Sequence, residues 1–306
     1  MDSIVVFSPA SVANVTCGFD VLGFCLDHVG DKIIVSKSNT PGVHIASVSG
    51  FRVPVNPKQN VASVAVEALL RDYPTSTGFE IEIEKGIKPG SGLGSSAASA
   101  CGAVFAVNLL LGSPFSRRDL IKYALEGESL ASGERHADNL APVILGGFTL
   151  VRSIDEIDII ELPSPEDLIV SVVHPKIELK TSYARAILKK EVLLRDAVRQ
   201  WANVGALVSA LYTQDYRLLS RSLQDFVIEP TRSMLIPEFD ALKHEAISSG
   251  ALGFGISGSG PAVFALSQGQ KTAQSVLQSM SKALDPLDLD FDCYISSINQ
   301  QGVRVI

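Results

Sequence analysis

"PGSGLGSSAASA", residues 89 to 100, alternates three glycines with other residues and then turns to serines and alanines. Such a stretch is a linker, a tight turn, or a loop whose backbone must touch a ligand, and its flanks decide between them. Upstream, "GFEIEIEKG" sets Phe79, Ile81 and Ile83 against Glu80, Glu82 and Glu84, the alternation of a strand with one buried and one wet face. Downstream, Ser95 to Leu111 reads as a helix of small and apolar residues. A strand and a helix pressing on both ends exclude a flexible linker. Strand, glycine loop and helix N-terminus together form an anion trap, because glycine lets backbone N–H groups approach phosphate and the helix dipole favours negative charge. Ser95 and Ser96 bring hydroxyls to the first turn, able to cap the helix or to bind phosphate and metal. Two familiar nucleotide motifs are absent: no lysine follows Gly94, and the spacing GxGxG is not GxGxxG.

The rest of the chain suits an ordinary globular protein. Its 306 residues are 46% hydrophobic and 19% charged, which supplies a core and excludes disorder and coiled coil. A net charge of −7 shows no basic surplus, so nucleic acid is not an expected partner. The first Lys or Arg is Lys32, so the N-terminus reads as neither a secretory signal nor a transit peptide, and a cytoplasmic location is expected. The most apolar helical run, Ala103 to Leu111, is too short to span a bilayer, and no membrane association is expected. Cys17, Cys25, Cys101 and Cys293 lack CxxC spacing and histidine partners, which predicts reduced, mostly buried thiols.

Strand-like runs open the chain ("SIVVF", "DKIIVSK", "GVHIASVS"), and "NVASVAVEALLRDY" follows with helical periodicity. A helix is expected from Ser116 to Ala131 and a strand at "GGFTLV". Beyond "LPSPED" the pattern restarts with "LIVSVVHP", helices, a second glycine-rich stretch "GALGFGISGSGPAVFAL", a helix near Gln270 to Leu284, and the strands "FDCYISSI" and "GVRVI". Strands and helices mix without a regular βαβ beat. The expected class is α+β in two domains, 1–160 with the glycine loop and 161–306 completing the substrate site.

Three stretches carry a resemblance. "PGSGLGSSAA" resembles the phosphate loop of the GHMP kinases, "SPASVANVTCGFDVLG" (8 to 23) their N-terminal substrate segment, and "GISGSGPAVFAL" (255 to 266) their C-terminal glycine motif. "SGERHADNLAP" and "VIEPTRSMLIP" are similar to stretches of the homoserine kinase branch, and the likeness runs along nearly the whole chain. Thr16 and Cys17 depart from the small residues usual before Gly18. The resemblance implies a two-domain fold, with a mixed or antiparallel N-terminal sheet and a ferredoxin-like α+β C-terminal domain. It also implies ATP and Mg2+, L-homoserine as acceptor and a homodimer.

By the same resemblance, Asn60, Lys88, Pro89, Gly90, Ser91, Gly92, Leu93, Gly94, Ser95 and Ser96 bind nucleotide. Asn60 is equally suited to capping the helix that follows it. Ser96 and Glu128 are the expected magnesium contacts, since a hard cation takes oxygen ligands. Asp20 and Asn14 correspond to residues holding an ammonium, Arg185 and Arg232 to a carboxylate clamp, and His136 to a substrate contact. Taken alone, each arginine reads as a surface charge. Asn139 and Thr181 are assigned to orient the hydroxyl and γ-phosphate, with Asp138 as a supporting carboxylate or the alternative base; Pro142 and Gly147 are read as structural. Two other readings stay open: a sister kinase for another small alcohol such as mevalonate, which has no ammonium for Asp20, and a non-catalytic sensor, which has no need of Glu128.

Overall fold

The computed structural model describes residues 2–177 and 179–306. In chain order, β1 (Ser3–Ala13), β2 (Leu22–Ser38) and β3 (Val43–Gly50) precede α1 (Val61–Asp72), β4 (Gly78–Lys85), α2 (Ser95–Leu110) and α3 (Arg117–Ser132). Next come α4 (Leu140–Leu145), β5 (Phe148–Ser153), β6 (Asp158–Leu162) and β7 (Leu168–Pro175). Five helices follow: α5 (Thr181–Ala186), α6 (Leu194–Thr213), α7 (Tyr216–Ser222), α8 (Glu229–Arg232) and α9 (Phe239–Ser248). The chain ends with β8 (Gly253–Ile256), β9 (Val263–Gln268), α10 (Gln270–Leu284), β10 (Phe291–Ser297) and β11 (Arg304–Val305).

The first sheet runs β11-β1-β2-β4-β3, with β5 pairing β2 and β6. It is mixed: β4 lies antiparallel to β2 and parallel to β3. The alternation in β4 does what it predicts. Ile81 and Ile83 stand opposite Val35 and Ile33 on the buried face, while the glutamates stay exposed. The three long helices α1, α2 and α3 close that face over an apolar core. α2 lies close to the sheet because its inner residues are small; a Cβ on Gly102 would fall 2.7 Å from Ile33 Cγ1.

The second sheet is antiparallel throughout, in the order β10-β7-β9-β8. α5 to α9 connect β7 to β8, and α10 connects β9 to β10, so the unit is the β-α-β-β-α-β ferredoxin-like arrangement. The two sheets share a core in which Phe24 of β2 packs on Phe148 of β5, with ring centroids 4.8 Å apart, and on Phe264 of β9 at 5.9 Å. β11 then returns to the first sheet, pairing Val305 with Val6. That shared core fixes the seam between the halves.

Candidate active site

A cavity of about 870 Å³ opens on this seam. Every residue assigned above to nucleotide, substrate, metal or chemistry lines it, apart from Leu93. Leu93 is buried beneath the loop, where its carbonyl accepts from Ser11 N at 3.1 Å.

The glycine loop is held from both halves. Gly90, Gly92 and Gly94 have φ of +73°, +83° and +66°, the left-handed region that glycine adopts without strain. Ser257 Oγ donates to Gly92 O at 2.7 Å, and Ala262 N to Ser91 O at 3.1 Å. α2 begins at Ser95 without a side-chain cap. Ser95 Oγ instead donates to Ile87 O at 2.9 Å, and Ser96 Oγ to Glu128 Oε2 at 2.7 Å. Neither serine caps the helix, so its first N–H groups are left to the cavity. Beneath the loop a buried ion pair joins Lys85 to Asp31; Lys85 Nζ also donates to Ser95 O at 2.9 Å and Ser99 Oγ at 3.0 Å.

Asn60 caps α1, its Oδ1 accepting from Ala62 N at 3.0 Å, and also lines the cavity. Both roles open to it in the sequence are therefore compatible with its position. Glu128 is 9% exposed, and burial raises its pKa to about 7. Ser96 and Glu128 thus bring two oxygen side chains together at the start of α2. That donor set suits a hard divalent ion, with the remaining ligands coming from phosphate and water.

The amino-acid end is built from both halves. Asn14, Val15, Thr16 and Asp20 form a left-handed turn with φ of +72°, +40°, +59° and +61°, closed by Asp20 N donating to Asn14 Oδ1 at 3.0 Å. Thr16 Oγ1 bonds the neighbouring Val15 carbonyl at 2.7 Å. Across the seam, Arg185 of α5 grips Asp20 bidentately at 2.8 and 3.0 Å, and approaches Glu134 at 3.2 Å and the ring of His136 at 3.2–3.3 Å. The residues read as an ammonium site and a carboxylate site face each other, paired. Arg232 is no surface charge: it is 3% exposed, with bonds to Ala184 O at 3.2 Å and Gly258 O at 2.9 Å. Burial, and then the charge of Arg185, bring its pKa down to about 10. The Phe19 ring lies beneath both guanidiniums, at 5.3 and 5.1 Å.

Between the two ends lie Asp138, Asn139 and Thr181. Asn139 Oδ1 accepts from Ser11 Oγ at 2.7 Å, which directs its amino group elsewhere. Thr181 Oγ1 is 3.3 Å from Ser259 Oγ. Asp138 is 4% exposed, and burial, reinforced by the charges of Asp20 and Glu128, pushes its pKa up to about 7.

Sequence reasoning missed Ser11, Asp31, Lys85, Ser257 and Ser259. Parity could have found two of them: Lys85 continues the buried series 79, 81, 83, and Asp31 the series 33, 35. A buried lysine and a buried aspartate at matching ends of paired strands imply one another.

Residues 60–147 match the family model described as GHMP kinases N terminal domain, and residues 207–285 the model described as GHMP kinases C terminal. The homoserine kinase of Chlorobium phaeobacteroides (strain BS1) is 43% identical over 320 residues, with both chains fully covered. That of Xylella fastidiosa (strain M12) is 39% identical over 302 residues, covering 98% of this chain and 93% of its own. The crystal structure of homoserine kinase from Cytophaga hutchinsonii superposes with a TM-score of 0.97 at 48% identity, covering 100% of this chain and 98% of that one. L. major mevalonate kinase, at 15% identity and a TM-score of 0.71, shares the fold. With both halves matched and the whole length aligned to such relatives, the chain belongs to the homoserine kinase branch of the GHMP kinases.

Proposed function

We infer that the protein transfers the γ-phosphoryl group of ATP to the side-chain hydroxyl of L-homoserine. The observation that carries this reading is one cavity lined both by the glycine loop and by an Asp20–Arg185 pair flanked by buried Arg232. An amino acid offers an ammonium to Asp20 and a carboxylate to the two arginines, so both charges can replace the pair's mutual satisfaction. Mevalonate brings a carboxylate to compete for Arg185 but no ammonium to replace that arginine at Asp20. The acceptor oxygen forms a bond to phosphorus, the bond from phosphorus to the ADP oxygen breaks, and the hydroxyl proton is lost late, to an oxygen of the transferred phosphoryl group and from there to water.

The loop N–H groups and the uncapped start of α2 cradle the polyphosphate. Ser96 and Glu128 are the residues that would hold Mg2+, which when bound neutralises phosphate charge. Asn139, fixed by Ser11, turns its amino group to the transferring phosphoryl oxygens, and Thr181 orients the hydroxyl. Phosphoryl transfer passes through a loose transition state, so positioning and charge neutralisation outweigh early proton removal. Asp138 supports this array as a shaping carboxylate, and its near-neutral titration makes it the side chain to test as a base. ADP release with homoserine, serine, threonine, mevalonate and galactose tests the acceptor; faster turnover of mevalonate or galactose than of homoserine overturns the reading.

The homodimer implied by the resemblance has a candidate surface on the outer face of α6, where Leu194, Val198, Trp201 and Tyr212 are exposed. An antiparallel second copy centred on Gly205 would set Val198 of one helix opposite Tyr212 of the other. An apolar stripe repeated about one point of a helix can serve both copies of a two-fold interface. No helix among the described residues is long and apolar enough to cross a membrane.

A further inference from the structure

We propose that Gln200 is a positioning residue for the amino acid, locking together the two substrate-binding segments from a helix that lines none of the cavity. The inference rests on the reading that Asn14, Asp20 and Arg232 hold homoserine. Gln200 lies on α6, and its amide is fully used. Nε2 donates to Cys17 O at 3.0 Å and to Asp225 Oδ1 at 2.9 Å, while Oε1 accepts from Phe226 N at 2.9 Å.

Each of these bonds ends on a segment that needs holding. Cys17 sits inside the turn whose Asn14, Val15, Thr16 and Asp20 are all left-handed. Non-glycine residues persist in that conformation only where their surroundings over-determine it. One end of the turn is closed by Asn14 on Asp20 N; its crest is pinned by Gln200. On the other side, the Asp225 carboxylate accepts from Val227 N and Ile228 N at 2.9 Å and from Glu229 N at 3.0 Å. That sets the start of α8, the four-residue helix ending in Arg232.

The two segments meet again inside the cavity, where Asn14 Nδ2 and Arg232 Nη1 both donate to Gly258 O, at 2.7 and 2.9 Å. The pocket that both segments line beside this contact holds only about 10 Å³, room for no more than one water. A displacement of either segment therefore passes to the other. Gln200 sets the distance between the ammonium site and the carboxylate site without touching the ligand.

Initial rates of ADP release, with homoserine and ATP varied separately, test this in wild type, Gln200→Met, Gln200→Glu, Asp225→Asn and the double variant Gln200→Met/Arg232→Lys. Denaturant midpoints are measured in parallel. Gln200→Met should raise the homoserine KM about 10-fold, the usual effect of leaving a buried polar partner unsatisfied, with the ATP KM within twofold of wild type. Gln200→Glu keeps the acceptor for Phe226 N but loses both donors, and should be at least as damaging. Asp225→Asn should show the same selective rise, and it carries the test if the Gln200 variants unfold. In the double variant the two effects should be clearly less than multiplicative, because both act on one clamp. A folded Gln200→Met with unchanged homoserine KM, an equal rise in both KM values, or fully multiplicative effects overturns the proposal. A wild-type protein that releases no homoserine-dependent ADP overturns the acceptor reading and this inference with it.

Discussion

Glu128 shows how one side chain can trade stability for function. Its pKa rises from an ordinary 4.5 to about 7 because it is buried, so between those values the folded protein binds more protons than the unfolded chain. Stability from this group is therefore fully present below pH 4.5 and lost as the pH climbs through 7. Glu128→Gln keeps the Ser96 contact and removes that loss. In the absence of ligands the variant should be more stable than wild type at pH 8, by on the order of 2–3 kcal/mol, with a clearly smaller difference at pH 5. Its turnover should fall on the order of 10²-fold with weakened magnesium dependence, the usual cost of removing one electrostatic element. Denaturant titrations at the two pH values, beside ADP-release assays, check both halves; an unchanged rate would make Glu128 a buried structural acid. Arg232 offers the converse case. Lysine keeps its charge but not its fork, so Arg232→Lys should raise the homoserine KM roughly 10- to 100-fold while barely moving that of ATP. If the variant still discriminates strongly between homoserine and homoserine amide, the carboxylate belongs to Arg185. For the hydroxyl, the kcat–pH profile separates Asp138 from Asn139. The present assignment expects Asn139→Leu to be the more damaging, and a nearly dead Asp138→Asn with its acidic limb abolished would reverse it.

Elements carry the glycine loop's second duty, which its sequence does not announce. Local pattern made the loop legible as an anion trap, because strand, glycines and small-residue helix are neighbours in sequence. What lies behind it is some 165 residues away: a Cβ on Gly92 would fall 2.5 Å from Ser257 O and 2.8 Å from Gly260 O. Gly90 has a similar φ but faces open space, its nearest neighbour being Leu179 O at 3.8 Å. Gly92→Ala should therefore lose about 1–3 kcal/mol of stability together with ATP affinity. Gly90→Ala bears only the backbone strain, about 1 kcal/mol. Equal midpoints for the two variants would remove Gly92 from the seam. The same division governs the rest of the site. Helix α3 and strand β4 were readable because period and capping are local, as Ser116 capping Asp119 N shows. The Asp20–Arg185 pair, the burial of Arg232 and the work of Gln200 were not, since each depends on which distant segment the seam brings opposite. The Lys85–Asp31 pair stands between: its parity was visible, its purpose beneath the loop was not.

At the scale of the whole molecule, α6 faces two ways. Its inner side holds Gln200 against the substrate turn, and its outer side presents Leu194, Val198, Trp201 and Tyr212 to solvent. An exposed apolar stripe along one helix is what an isologous interface between identical chains uses, because each contact is then made twice. Gly205 sits at its middle, where a Cβ would meet nothing within 4 Å, leaving room for a second backbone to approach. The stripe begins just after the stretch that links α6 to α5, the helix bearing Thr181 and Arg185. A partner seated there would buttress the carboxylate site from outside. Trp201→Glu places a charge at the centre of the stripe without touching a cavity residue, so it should convert a dimer to a monomer in sedimentation velocity. The monomer should keep its fold and its ATP KM, while its homoserine KM rises a few-fold as α5 loses support. Wild-type protein that sediments as a monomer at micromolar concentration, or a Trp201→Glu variant that remains dimeric, moves the interface elsewhere or abolishes it.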